Sequence, residues 1–388
     1  MYPNESTTPS IPGAFPILMG IARDEGWEMK LFDTYTYRKS SKDTNKERVA
    51  SGEFKKTGFY ERLKVEPFEN LLPDLQEMID KFAPDVIAVS CMSIQYEFLE
   101  TFFRKASFPK NCVVIGGGIH LILESVESAK NGLFDLVCTG EGEDVFEELL
   151  RSKCAGHDIS RIPGTIYFDR EKNEIFNNGK RPIVGAEELW RVRQDYSIFP
   201  SEYFKQPFDG KLLNRLTFEC GRGCPYSCTY CGNTALQQTM NAGKSMVRLR
   251  SIDSIMENLK TLVNDLDIQV VSLIDECFFV KPKQWLQEFS KRYSEEIRIP
   301  FIIQTRAEMV KDDRIEILNK TNASFYQVGI GVESGSERIL FDVCNRKTKI
   351  SAITKAFKVL SKYSHIRSCA LFIIGFPFET REEIFKTI

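Results

Sequence analysis

The sequence predicts an α/β protein built from two successive bodies. A doubly wound, Rossmann-like domain occupies residues 1–150, a connection with a hairpin follows at 151–211, and a partial, TIM-like β/α barrel fills 212–388. Two observations carry this reading. Short strands that are apolar throughout, DVIAVS, CVVIG and FDLVCTG, alternate with helical patterns, which is the mark of a parallel sheet covered on both faces. After the connection the alternation resumes as five further strand-helix units, with polar residues falling at the strand ends, as in barrels whose chemistry lies at the carboxyl ends of the strands.

Taken in order, residues 1–16 are rich in Pro, Ser, Thr and Asn and read as loop. A helix is expected at 17–25, stopped by Gly26, then a strand at 28–33 and a polar, solvated insertion at 34–66. Helices at 68–82, 95–105 and 143–151 interleave with strands at 85–90, 112–116 and 134–140. GTIYFD and EIFNN form a hairpin turned at Glu171-Lys172-Asn173, and an aromatic, proline-rich stretch completes the connection. The second body reads as strands at 213–219, 268–275, 301–305, 324–332 and 368–375, with helices at 251–266, 283–293, 314–320 and 350–363 among them.

Composition excludes several classes. At 388 residues and 42% hydrophobic content there is material for two cores, and a net charge of −2 points to neither nucleic acid nor an anionic membrane. No apolar run is long enough to span a bilayer, and MYPNESTTPS lacks the pattern of a secretory signal, so a reducing cytoplasm is expected.

The chemistry concentrates in ECGRGCPYSCTYCGN, where Cys220, Cys224, Cys228 and Cys231 fall within one loop. Thiolates are soft ligands that favour zinc or iron-sulfur clusters, and Gly221, Gly223, Pro225 and Gly232 let backbone bend around a metal centre. A structural zinc site is the competing reading, although such sites draw ligand pairs from separated segments. A disulfide framework fits poorly, because the remaining cysteines lie scattered in apolar stretches. Cys220 reads as a neighbour of the site.

Cys224, Cys228 and Cys231 are spaced C-x3-C-x2-C, with Tyr230 before the last. This loop resembles that of the radical S-adenosylmethionine (SAM) superfamily, and Arg222-Gly223 and Pro225 resemble the subgroup that also binds cobalamin. The resemblance implies that the three cysteines hold a [4Fe–4S] cluster whose fourth iron SAM chelates, so that the reduced cluster releases a 5′-deoxyadenosyl radical. LIDECFF, GIGVESGS and IIGFPFET resemble the family's second, fourth and fifth strand endings. By that resemblance Glu333 and Ser334 face the SAM ribose and methionine, Ile373 and Gly375 the adenine, and Tyr230 the adenine edge. Asp275, Gln304 and Arg306, at neighbouring strand ends, join the SAM-binding set; Asp275 and Glu276 have the alternative of pairing with Arg306, and Glu379-Thr380 is as well read as a helix cap.

In the first body, VIAVSCMS, VVIGGGIH and VCTGEGEDVFEELL resemble in order the strand ends of the cobalamin-binding domain that precedes many such barrels, which implies cobalamin contacts at Ser90, Gly116, Gly117, Gly140 and Glu141. A plain strand-to-helix turn is the alternative for the glycines. The Asp-x-His-x-x-Gly motif is absent, and the one nearby histidine, His120, follows the glycines, so no histidine of this chain is expected on cobalt. The family's first strand and its barrel closure are also not found, so the reading includes truncation at both ends.

The function expected is reductive cleavage of SAM by a cobalamin-dependent radical SAM enzyme, for methyl transfer or for cyclisation or rearrangement at an unactivated carbon. Its partners would be a small-molecule or natural-product substrate and a reducing protein such as a flavodoxin or ferredoxin. Two alternatives stand: a radical SAM enzyme whose N-terminal domain binds substrate or protein instead of cobalamin, and a non-catalytic metal-binding fragment.

Overall fold

The computed structural model describes residues 1–4, 9–38, 49–52, 64–208, 210–240, 246–321 and 324–388. The insertion expected at 34–66 falls largely outside them. Two compact units emerge, residues 1–184 with 192–212, and residues 185–191 with 213–388.

In the first unit, strands β1 (Val86–Ser90), β2 (Val113–Gly117) and β3 (Leu136–Cys138) run parallel, and β4 (Thr165–Asp169) and β5 (Glu174–Asn177) extend the sheet antiparallel. Continuous apolar runs suit these strands because alternate residues face opposite cores. Val89, Val114 and Val137 pack with Leu99, Phe102 and Phe103 of helix α1 (Ser93–Phe103), whereas Val113, Ile115 and Leu136 pack with Val145 and Leu149 of helix α2 (Glu143–Ala155). The doubly wound expectation therefore holds.

Two details differ. The hairpin placed in the connection is the antiparallel edge of this sheet: β3 pairs with β4 from Leu136 opposite Tyr167 to Cys138 opposite Thr165. The strand expected at 28–33 is reduced to a single bridge between Tyr2 and Asp33. A strand exists only where a neighbour takes up its backbone groups, and among the described residues Tyr2 alone bridges to it.

The second unit is a partial β/α barrel. Strands β6 (Lys211–Phe218), β7 (Val270–Leu273), β8 (Phe301–Arg306), β9 (Phe325–Glu333) and β10 (Arg367–Phe372) are parallel neighbours in that order. One face is apolar and aromatic: Phe301 stacks on Phe325 with ring centroids 5.4 Å apart, and Phe289 and Tyr293 of the helix Lys283–Glu296 close over Phe301. The register brings Thr217, Ser272, Ile302 and Gln327 into one row of the other face and Gln304, Gly329 and Cys369 into the next. Gln304 is exposed between buried Ile303 and Thr305, so this inner face is open and polar.

Candidate functional site

The cysteine loop leaves the carboxyl end of β6. Gly221–Arg222 pairs antiparallel with Arg248–Leu249, and Gly223 then turns with φ +94°, its N–H donating to the Glu276 carboxylate at 3.1 Å. A Cβ on Gly223 would lie 2.0 Å from the Met246 carbonyl oxygen, so only glycine fits. Gly223→Ala should thus lose at least about 1–2 kcal/mol from the backbone conformation alone. The clash then displaces the loop, to be read as a lowered Tm together with reduced iron uptake.

Beyond the turn, the Cys224 carbonyl accepts from Gln237, Thr229 N–H donates to the Cys344 carbonyl at 3.1 Å, and Asn345 donates to the Ser227 carbonyl at 3.1 Å. Cys231 precedes the helix Gly232–Thr239, its carbonyl accepting from the Thr234 N–H at 3.0 Å. The loop is thereby held from several sides with its thiols free. Burial pushes the Cys224 thiol up to about 11, so it stays protonated until a metal takes the proton's place.

Cys220 is placed differently. It is fully buried, its N–H donates to Asp275 at 3.2 Å, and burial, with the Asp275 charge next, pushes its thiol well above the usual range.

The predicted SAM-binding residues separate into two groups. Glu333, at the end of β9, has φ +66°, an unusual backbone for a non-glycine residue, and follows an irregularity in the pairing of β9 with β10 between Gly331 and Glu333. Its carboxylate lies 3.5 Å from Arg346, which donates to the Tyr230 hydroxyl at 3.3 Å and to the Gly331 carbonyl at 2.6 Å. Burial, followed by the opposing charges of Arg346 and Glu333, leaves the Tyr230 phenol raised. Ile373 donates its N–H to the Glu333 carbonyl at 2.9 Å and is partly exposed, and Gly375, with φ +92°, has open space in its Cβ direction. Glu333, Tyr230, Ile373 and Gly375 thus gather by the cysteine loop, with Gln304 open on the inner face.

Asp275, Ser334 and Arg306 are held by other partners, Arg306 against the cysteine loop itself. Asp275 is 3% exposed and forms an ion pair of 2.5 Å with Lys281, itself 2% exposed, so its charge is spent inside the protein. The alternative pairing of Asp275 and Glu276 with Arg306 is not formed either, since Arg306 pairs with Glu308 and Glu276 accepts from Gly223. Ser334 is fully buried, its hydroxyl 3.4 Å from that of Thr387 and accepting from Ser336 N–H. Arg306 donates to the Cys228 sulfur at 3.2 Å. Glu379 accepts from the N–H groups of Gly375 and Phe376, and Thr380 caps a helix, as the capping alternative has it.

Sequence reasoning missed Arg346, Glu308, Thr348 and Tyr226. Thr348 and Tyr226 lie far in sequence from Arg306, which they contact, whereas Glu308 is two positions from it; the only local signal for Arg346 and Thr348 was the polar run NRKT after a helix.

In the first unit, Ser90 and Gly117 are paired neighbours at the carboxyl ends of β1 and β2. Gly116 is a packing residue, because a Cβ there would meet Leu121 at 2.7 Å and Phe134 at 2.9 Å; Gly117 has only Cys138, at 3.9 Å. Glu141 accepts from the Val184 N–H at 2.9 Å, and neighbouring Gly140 is partly exposed. Met92 and Ile94 are exposed just beyond β1. His120 holds Ser93 at 3.0 Å and packs on Tyr96.

These donor sets fit the implied groups. Among the described residues no three His, Cys, Asp or Glu side chains converge on a single ion. A four-iron cluster instead spreads its thiolates around a larger body, as free thiols on an anchored C-x3-C-x2-C loop can do. The glycine-lined, partly apolar strand ends of the first unit fit a broad, flat ligand.

The cysteine loop and the barrel around it agree with the family model: residues 218–388 match the Radical SAM superfamily, whose members use a [4Fe–4S] cluster and SAM. Residues 218–388 of the chain thus carry a Radical SAM domain. It is 25% identical over 320 residues to an uncharacterised methyltransferase of Pyrococcus horikoshii, covering 81% of this chain and 65% of that one. It is 24% identical to the hopanoid C-3 methylase of Methylococcus capsulatus (64% and 44%) and 25% identical to the cobalamin-dependent radical SAM methyltransferase TokK of Streptomyces tokunonensis (65% and 36%). The chain thus spans between 36% and 65% of the length of these relatives. Among solved structures, the fold matches the radical SAM methyltransferase TsrM from Kitasatospora setae with a TM-score of 0.70 at 16% identity, covering 100% of this chain and 68% of that one. It also matches the cobalamin-dependent enzyme OxsB with a TM-score of 0.68 at 16% identity, covering 98% and 49%.

Proposed function

We propose that this chain is the cofactor-binding body of a cobalamin-dependent radical SAM methyltransferase acting on an unactivated carbon of a small molecule. The observation that carries the reading is the anchored loop of Cys224, Cys228 and Cys231 beside the Glu333–Arg346–Tyr230 constellation. The methyl acceptor class is taken from relatives whose names describe methylation. When bound, the cluster, SAM and cobalamin would supply one-electron cleavage of SAM to a 5′-deoxyadenosyl radical and a carrier for the methyl group. Cyclisation is the second reading, favoured by 24% identity to the anaerobic magnesium-protoporphyrin IX monomethyl ester cyclase of Synechocystis.

The residues of the chain have these roles. Cys224, Cys228 and Cys231 hold three irons. Glu333 accepts hydrogen bonds from ribose hydroxyls or the methionine ammonium, and Arg346, buried but for 4%, orients that carboxylate. Ile373 and Gly375 give the adenine an apolar edge and open backbone, with Tyr230 beside them. Ser90, Gly117, Gly140 and Glu141 would line the corrin site.

All eleven cysteines are free, which suits a reducing cytoplasm and an electron donor of the flavodoxin or ferredoxin kind. No described helix is long and apolar enough to cross a membrane.

The test is anaerobic purification with hydroxocobalamin, followed by corrin absorbance per chain. About one corrin per chain is expected, together with 5′-deoxyadenosine formed from SAM under dithionite. Formation of 5′-deoxyadenosine without retained corrin would instead make the first unit a substrate- or protein-binding module.

A further inference from the structure

Arg306 ends β8 at the level of Gly331 on β9, and its guanidinium is held on every side. It stacks 3.9 Å from the centroid of the Tyr226 ring, donates to the Thr348 hydroxyl at 3.2 Å, and pairs with the Glu308 carboxylate. Thr348 in turn donates to Glu308 at 2.9 Å, which closes the ring of contacts. The remaining donor, Nη1, points at the Cys228 sulfur 3.2 Å away. Arg306 is 7% exposed and Thr348 1%, so little water screens this charge.

We propose that Arg306 is a positioning residue that sets the reduction potential of the iron-sulfur cluster through Cys228, with Glu308 setting how much of its charge the sulfur feels. The proposal rests on the reading that Cys228 is a cluster ligand. Reduction by one electron from an external donor, dithionite in the test, adds one negative charge to the cluster and its thiolates. A fixed cation donating a hydrogen bond to a ligand sulfur stabilises the reduced form more than the oxidised one, because hydrogen bonds to sulfur, net charge and solvent access tune such potentials. The guanidinium cannot lose its proton in the accessible range, so the effect persists across pH. Lysine, a flexible point charge without the planar fork, reproduces it only in part.

The experiment is a redox titration followed by electron paramagnetic resonance on the full, anaerobically reconstituted chain. Arg306→Gln should bias the cluster at least tenfold toward the oxidised form, a fall in midpoint of about 59 mV for a one-electron couple. Arg306→Lys should lie between that value and wild type. Glu308→Gln should move the midpoint upward, since it removes the charge that offsets the guanidinium. SAM affinity for the oxidised protein, measured by titration calorimetry, should remain within twofold in Arg306→Gln. A purely structural role predicts no opposite signs.

An unchanged midpoint in Arg306→Gln with iron retained overturns the proposal, as does a large loss of SAM affinity at an unchanged midpoint. Should Arg306→Gln fail to take up iron, Glu308→Gln decides alone, and a midpoint at or below wild type overturns it. Wild-type protein that holds no four-iron cluster defeats the underlying assignment of Cys228 as well; a normal wild-type cluster with unmoved variants defeats only the role of Arg306.

Discussion

Alanine at Cys224, Cys228 or Cys231 should abolish the uptake of about four irons per chain, the stoichiometry of the cluster, whereas Cys220→Ala should leave it intact. The difference follows from placement. Cys224 and Cys231 are partly exposed, and Cys228, though 7% exposed, has its sulfur 3.2 Å from the Arg306 guanidinium. Cys220 has no exposure and sits with its N–H on the Asp275 carboxylate, whose charge disfavours a second anion beside it. Iron and sulfide determined per chain after anaerobic reconstitution, with zinc measured in parallel, check this. Equal metal loss in the four variants, with zinc found and no iron, would establish the structural zinc site.

Glu333→Ala is expected to weaken SAM binding by about ten- to more than a hundredfold, equivalent to roughly 1.5–3 kcal/mol for one charged hydrogen-bonding partner, and to slow formation of 5′-deoxyadenosine at unchanged iron content. The carboxylate is held by Arg346 and Tyr230 beside the cysteine loop, on a backbone at φ +66° that a non-glycine residue adopts only when its surroundings enforce it. Glu333→Gln keeps the shape and part of the hydrogen bonding while losing the charge, and should fall between the two. SAM affinity measured calorimetrically, alongside single-turnover cleavage, tests the assignment. Wild-type values in both would make Glu333 only the ion-pair partner of Arg346.

Much of this molecule is legible from local pattern. VIAVS, CVVIG and FIIQT are apolar at consecutive positions, and only a strand buried on both faces, or one whose open side lines a barrel, uses such a run. The cysteine loop is legible for a similar reason, since its ligands lie within one short turn and their spacing is a property of the chain itself.

What local pattern leaves open is where a side chain points after its strand ends. Asp275 and Arg306 both follow strands as polar residues, and sequence alone gives them the same claim on SAM. Folding sends Asp275 inward to Lys281, across the single turn Phe278–Val280, and sends Arg306 to Cys228. A buried charge takes whichever partner offsets its desolvation, and that partner is set by packing. Ser334 is similar: next to Glu333 in sequence, it is drawn into the Ser336 and Thr387 network because the chain turns at Glu333.

By itself, then, the sequence determined the α/β alternation and the three spaced cysteines, because each depends on residues near in the chain. Only the tertiary structure decided that β4 and β5 complete the first sheet and that Gly117, not Gly116, faces open space. It alone brought Arg346, Thr348, Glu308 and Tyr226 around Glu333 and Cys228. The contacts of Thr348 with Glu308 and of Tyr226 with Arg306 join residues tens of positions apart, and such contacts come into being only when strand register and turn geometry bring their backbones together.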